Sequence, residues 1–347
     1  MSTSPPTNDD SAIWDIWLGQ FRLPVINVNA EVGTFKALSE AALNTEELAA
    51  QLGVNARAMA MNLAALCSMG LVEKRLGKWR ATHLARTWLH PDGEGYWGHF
   101  TRQIDFNTTL RARLLEALRT GQRPGNVGKN SGEITSGPAN WERGTMSQEI
   151  AEDIAKFMHA HSQAPALGAA AQSVFGELAS LMDVGCGSGV YGIEIARAHP
   201  KLKVVLMDLR EMTTEAQKFI DRAGMGKQVT TAGVSMFTEA WPHGHDGHFF
   251  SNVFHDWSDD TCRLLAKFSF EALPSGGRIF LNEILMDDDY TGPFPAAAFS
   301  LLMLVATLGK QYSLAEFRDI LGSAGFVDVG AVRTGGGYYS LVSARKP

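Results

Sequence analysis

Asp183-Val184-Gly185-Cys186-Gly187-Ser188-Gly189 is the stretch whose reading decides the fold. It follows the apolar pair Leu181-Met182 and precedes a helix-compatible segment from Tyr191 to Ala198. Strand, glycine turn and helix in that order make the first βα unit of a doubly wound sheet, where ligands bind beyond the strand ends. A G-x-G-x-x-G turn beginning at Gly185 needs glycine at the position held by Val190, so the usual dinucleotide signature is missing. Asp183 is badly placed for a pyrophosphate and well placed for an ammonium group. Asp208 ends the next strand candidate, where acids of nucleotide-binding folds accept ribose hydroxyls.

Outward from the turn, strand candidates at 180–184, 203–208, 229–233, 248–253 and 278–285 alternate with helical stretches, one after each of the first four. That alternation predicts a parallel sheet covered on both faces. Segments 326–333 and 338–344 around Gly335-Gly336-Gly337 predict a hairpin, which makes the last strand antiparallel. Toward the N-terminus, 11–40 reads as helix, with Trp14, Ile16, Trp17, Phe21 and Leu23 as its apolar contacts. A short helix at 45–52, capped by Asn44 or Thr45, turns through Gly53-Val54-Asn55 into a second helix at 56–69. Strands at 71–74 and 78–81 around Gly77 complete a winged-helix pattern. Its second helix carries Arg57 as the sole cation and is apolar almost all round, which suits burial against protein better than a DNA groove. Residues 131–144 look like an irregular connection and 147–162 like a helix. The expected division is a disordered tail (1–10), a winged-helix-like dimerisation domain (11–105), a helical connection with a pocket-lining helix (106–176) and a cofactor-binding catalytic domain (177–347).

Composition narrows the function classes. Of 347 residues, 45% are hydrophobic and 20% charged, which predicts a packed core, and a net charge of -6 argues against nucleic acid as partner. Cys67, Cys186 and Cys262 are odd in number and far apart, so neither a disulfide framework nor a zinc site is expected. The polar start lacks the basic flank and apolar run of a secretory signal, and no apolar stretch is long enough for a bilayer. The expected location is the cytoplasm.

An ammonium beside Asp183 and a ribose at Asp208 are both parts of S-adenosylmethionine, which has no phosphate. The chain also resembles the small-molecule O-methyltransferases of class I fold that act on plant phenolics and bacterial natural products. The resemblance rests on the winged-helix N-terminal region, Asp183 to Gly189, Asp208, Met236-Phe237, the block Phe254-His255-Asp256-Trp257, Glu283 and the segment 317–326. It implies a Rossmann-like α/β fold, with a seven-stranded sheet ending in an antiparallel hairpin, and a homodimer through the mainly helical N-terminal domain. It implies S-adenosyl-L-methionine contacts at Asp183, Gly185, Gly187, Gly189, Asp208, Leu209, Ser235, Met236, Phe237 and Ser251. His255 is the implied general base and Glu283 the acid that orients it. Met158, His161, Phe299, Met303 and Thr307 are the implied lining of a pocket for a small aromatic or polyketide-like acceptor.

The departures from the family pattern matter chemically. Gln311 stands where the family commonly has a second acid, Ser251 where it has lysine, and Ser235 where it has aspartate. An amide hydrogen-bonds a histidine without stabilising its charged form, so C- or N-methylation stays open beside O-methylation. A cofactor-binding winged-helix regulator is the alternative from another class. No metal is expected: His159 and His161, two apart on a helix, point about 200° apart. His243-x-His245-x-x-His248 reads as a solvated loop, and Asp287-Asp288-Asp289 as a polar turn.

Overall fold

The computed structural model describes residues 10–93, 95–124, 146–335 and 337–347. All but the last residue of the expected tail, the whole connection 131–144, and Gly336 lie outside the described residues. The chain divides into two compact units, one of residues 13–129 with 286–313 and one of residues 1–12 with 130–285 and 314–347. This differs from divisions at 105 and 176. Segment 286–313 belongs with the N-terminal residues, because its helix Phe294–Ala306 is nearly all apolar and packs on the helix Ala56–Ser68.

In the N-terminal unit, the single helix expected over 11–40 is three: Ser11–Gly19, Arg22–Val32 and Thr34–Glu40. Gly33, at φ 90°, ends the second of these in the left-handed conformation. Asn44 and Glu47 form a capping box at the start of Thr45–Leu52, and Asn55 caps Ala56–Ser68. Ala56–Ser68 buries Met59, Met61, Leu63 and Leu66, and Arg57 donates to the carbonyls of Leu308 and Gly309 at 2.9 and 2.5 Å. The lone cation of the second helix is thus engaged within its own unit. The wing is β1 (Val72–Arg75) paired antiparallel with β2 (Lys78–Ala81).

The other unit holds a seven-stranded sheet: β3 (Ser180–Val184), β4 (Lys203–Asp208), β5 (Val229–Gly233), β6 (Gly247–Ser251), β7 (Arg278–Ile284), β8 (Val327–Arg333) and β9 (Tyr339–Arg345). Its order is β5-β4-β3-β6-β7-β9-β8, parallel through β7, with β9 antiparallel to both of its neighbours, as the hairpin reading predicts. One expectation fails: no helix follows β5. Residues 234–246 form a loop instead, in a stretch carrying Pro242 and Gly244. The pocket-side helix is also longer than read, Gln148–Ala170, and it continues through Pro165. Proline forfeits one backbone bond there, but Ala166, Ala169 and Ala170 behind it are buried in the sheet's core. No helix among the described residues is long and apolar enough to cross a membrane.

Gly189 shows how tightly the first βα unit is packed. It has φ 75°, and a Cβ there would lie 2.4 Å from Leu206 Cδ1 on β4. Gly189→Ala is expected to cost about 2–4 kcal/mol, from the left-handed penalty and overpacking together, read as a lower urea midpoint. An unchanged midpoint would contradict the close approach of this helix to β4.

Candidate active site

The turn after β3 is built by its glycines. Gly185 and Gly187 have φ 69° and 55°, and a Cβ on Gly185 would sit 2.9 Å from Val253 Cγ2. The N–H groups of Gly185 and Cys186 both donate to the carbonyl of Met207, which docks the turn against the end of β4. Asp208 then accepts from Gly187 N–H at 2.9 Å and Leu209 N–H at 2.7 Å, one on each carboxylate oxygen. Burial pushes its pKa up to about 6 despite these two donors. Asp183 turns the other way. Its carboxylate accepts from Gly192 N–H at 3.1 Å, and burial pushes its pKa up to about 7.

The turn forms one wall of a cavity of about 740 Å³, its open mouth included, within the usual size of a small-molecule site. Gly185, Gly187, Asp208 and Leu209 line it, with Ser235, Met236 and Phe237 after β5 and Ser251 at the end of β6. Of the ten positions read as cofactor contacts, Asp183 and Gly189 alone are not in the wall. Asp183 faces a helix N–H and Gly189 packs on Leu206. The wall also includes Ile154, Asn252, Val253, Asp256 and Trp257, which the sequence reading left out as cofactor contacts. The rule that ligands sit beyond strand ends would have found the last four, since they follow β6 directly.

Beyond β6 the chain makes a short 3-10 turn, Phe254–Asp256, that carries His255. His255 Nδ1 lies 2.9 Å from Glu283 Oε2 on β7, and both side chains are buried. The other carboxylate oxygen of Glu283 accepts from the N–H groups of Val253 and Phe254, each at 3.2 Å. One acid therefore fixes both the loop and the imidazole. Burial works to lower the pKa of His255, but the charge of Glu283 and its hydrogen bond outweigh it, with a smaller push from Asp256, and the net direction is upward. With Nδ1 bonded to the carboxylate, Nε2 carries the lone pair, 3.8 Å from Asp256 Oδ1. Asp256 is raised to about 6, chiefly by its burial.

With this geometry stand the likenesses to known proteins. The O-methyltransferase domain family matches residues 124–327. This chain belongs to that family. It is 32% identical to the 3-hydroxy-5-methyl-1-naphthoate 3-O-methyltransferase of Streptomyces sahachiroi, over 95% of this chain and 93% of that one. It shares the fold of an O-methyltransferase family 2 protein from Planctomyces limnophilus solved with apigenin, at TM-score 0.84 and 23% identity over 99% and 98% of the two chains. It likewise shares the fold of human N-acetylserotonin methyltransferase solved with SAM, at TM-score 0.60 and 24% identity over 98% and 99%.

The remaining positions of this O-methyltransferase divide between the two units. Met158 and His161 lie on the helix Gln148–Ala170 of the sheet unit, and Met158 lines the cavity. His161 Nδ1 is 2.8 Å from Ser162 Oγ, and burial first, then the nearby charge of His255, lowers its pKa to about 4. Phe299, Met303, Thr307 and Gln311 belong to the N-terminal unit. There Phe299 packs against Trp14 and Trp17, Thr307 donates to the Met303 carbonyl, and Gln311 N–H donates to Ser300 Oγ. Among the described residues no group of three or more His, Cys, Asp or Glu side chains is arranged to hold a metal. The histidines of the 243–248 stretch are not all in a solvated loop. His248 is a fully buried residue of β6, bonded to Ser269 Oγ at 2.9 Å, and burial lowers its pKa to about 3.

Proposed function

We propose that this O-methyltransferase moves the methyl group of S-adenosylmethionine to a hydroxyl of a small aromatic or polyketide-like molecule, with His255 as general base. The observation that carries the reading is the buried His255–Glu283 pair beside the glycine-turn cavity, whose wall includes the flanking Val253, Asp256 and Trp257. The cavity fits the cofactor chemically. Ser235 Oγ is buried, belongs to a wall residue and has no hydrogen-bond partner among the described residues, so a polar ligand would complete it. Asp208 would hold the ribose hydroxyls, and the bare Gly185 and Gly187 would let the ligand approach the backbone.

The cofactor supplies an activated methyl group on a sulfonium. What is left for the protein is to orient the acceptor and take its proton. A phenol with pKa near 10 is mostly protonated at neutral pH, and His255 Nε2 would accept that proton as the hydroxyl oxygen attacks. Glu283 would stabilise the resulting imidazolium at Nδ1. The acceptor class follows the naphthoate-methylating relative. Incubation with labelled S-adenosylmethionine and a panel of hydroxynaphthoates, flavones, keto acids and amines is expected to put label on the hydroxyl-bearing aromatics, at oxygen. Label on carbon or nitrogen would overturn the O-methylation reading.

We propose also that the N-terminal unit forms a homodimer. Trp88, Trp97, Phe100 and Phe106 are between 44% and 89% exposed, a concentration of aromatic surface suited to burial against a partner. Light scattering is expected to give twice the 37.7 kDa chain mass, and a 37.7 kDa species at micromolar concentration would contradict this.

A further inference from the structure

The helix Gln148–Ala170 is anchored differently on the two sides of Pro165. Behind the proline, Ala166, Ala169 and Ala170 are buried in the sheet's core with Phe175, Leu181 and Phe249. Ahead of it, Ala151, Ile154 and Ala155 pack in a separate, smaller cluster with Leu209 and Met212, flanked by Ile150, Met158 and Phe219. Ile154, Met158, Leu209 and Met212 all line the cavity, so the half of the helix that covers the cavity is the half outside the main core. Pro165 has no N–H to give the His161 carbonyl one turn back, which weakens the backbone where the two halves meet.

Specific contacts fasten the outer half. A Cβ on Gly187 would sit 3.9 Å from Met158 Cβ, so the helix lies directly on the glycine turn. Next along, His159 stacks on Phe219 of the helix Arg210–Ala223, with ring centroids 4.3 Å apart. Gln163 Nε2 lies 2.6 Å from His159 Nε2, and an amide nitrogen can only donate. The ring proton is therefore on Nδ1, 3.3 Å from the buried Ser188 Oγ inside the turn. Burial first, then the charge of Arg222, lowers the pKa of His159 against a smaller pull from Glu194, which keeps the ring neutral at neutral pH. At the helix start, Gln148 donates to the Glu215 carboxylate and the Glu211 carbonyl. Building on the cofactor reading above, we infer that residues 148–164 form a lid over the cofactor cavity that swings at Pro165, and that His159 is the positioning residue that holds it shut on the glycine turn.

Amide hydrogen exchange, and stopped-flow binding of S-adenosylhomocysteine followed by tryptophan fluorescence, test this together. In the wild type, amides of 150–164 are expected to exchange faster than those of 166–170. His159→Ala should speed exchange in 150–164 about tenfold and leave 166–170 within about twofold. The His159–Ser188 latch joins protein to protein, so losing it weakens the shut lid in free and bound forms alike. Ligand entry and exit should therefore both quicken about tenfold, while affinity stays within about threefold. Ser188→Ala should act in the same direction, and the double variant should go no further than His159→Ala. Pro165→Ala restores the missing backbone bond and should slow both rates. Uniform exchange along the wild-type helix, unchanged rates in His159→Ala, or an affinity loss carried by faster exit alone would overturn the inference. A wild-type protein that binds no S-adenosylhomocysteine would overturn the cofactor reading instead, and the exchange pattern would still decide the lid.

Discussion

Replacing His255 by alanine is expected to lower kcat for methyl transfer by about 10²–10⁴-fold, the usual contribution of a positioned base. Affinity for S-adenosylhomocysteine should stay within about twofold, because His255 itself is absent from the cavity wall while its neighbours form it. The size of the effect comes from the acceptor. A phenol near pKa 10 is ionised in only about one part in a thousand at neutral pH, and without a base the reaction is left with that fraction. Glu283 cannot stand in, since one of its oxygens already accepts from two backbone N–H groups in the same loop. Steady-state rates with a responsive phenol, together with calorimetry, would check both halves. Normal turnover by His255→Ala would remove the histidine from the mechanism.

Glu283→Gln should alter the pH profile as well as the rate. As a base, His255 must be neutral, and its pKa lies above the ordinary 6.5 because the charge and hydrogen bond of Glu283 outweigh burial. In the wild type, kcat/KM is therefore expected to rise with pH through an inflection above 6.5. The glutamine variant keeps an acceptor for Val253 and Phe254 but loses the charge, so burial dominates and the inflection moves to lower pH. Its maximal rate should fall about 10–100-fold, because a weaker base takes the proton less readily. An inflection that stays in place or rises would contradict the assigned partnership. The same shift bears on stability. A raised folded-state pKa means that the pair stabilises the fold fully below 6.5 and loses that contribution as pH rises through the folded value.

Much of this site is legible from local chemistry. A glycine turn between an apolar strand and a helix specifies its own backbone, so Gly185, Gly187 and Asp208 land together in the cavity wall. The block 254–257 follows a strand end and marks the same edge. Asp183 shows the limit of this reading. Its position in sequence places it beside the turn, but its rotamer is chosen by Gly192 N–H, a contact nine residues away that spacing does not reveal. Asn252 was missed for a related reason. Its amide oxygen accepts from Tyr339, 87 residues on, through the antiparallel return of β9. The grouping of 286–313 with the N-terminal residues was equally hidden, since an apolar helix does not announce which neighbour it packs on. Gly33 splits the long N-terminal helix by taking a positive φ, an outcome that the apolar periodicity alone obscured.

The roles proposed for His255 and Glu283 depend on the cavity holding an S-adenosyl ligand through Asp208. Calorimetric titration of S-adenosylhomocysteine into the wild-type protein and into Asp208→Asn tests it most directly. The asparagine keeps one acceptor oxygen for the Gly187 or Leu209 N–H and removes the charge that would take the ribose hydroxyls. The predicted result is saturable binding of one ligand per chain by the wild type, weakened about tenfold or more in the variant. No saturable binding by the wild type, or equal affinity in the two proteins, would contradict it.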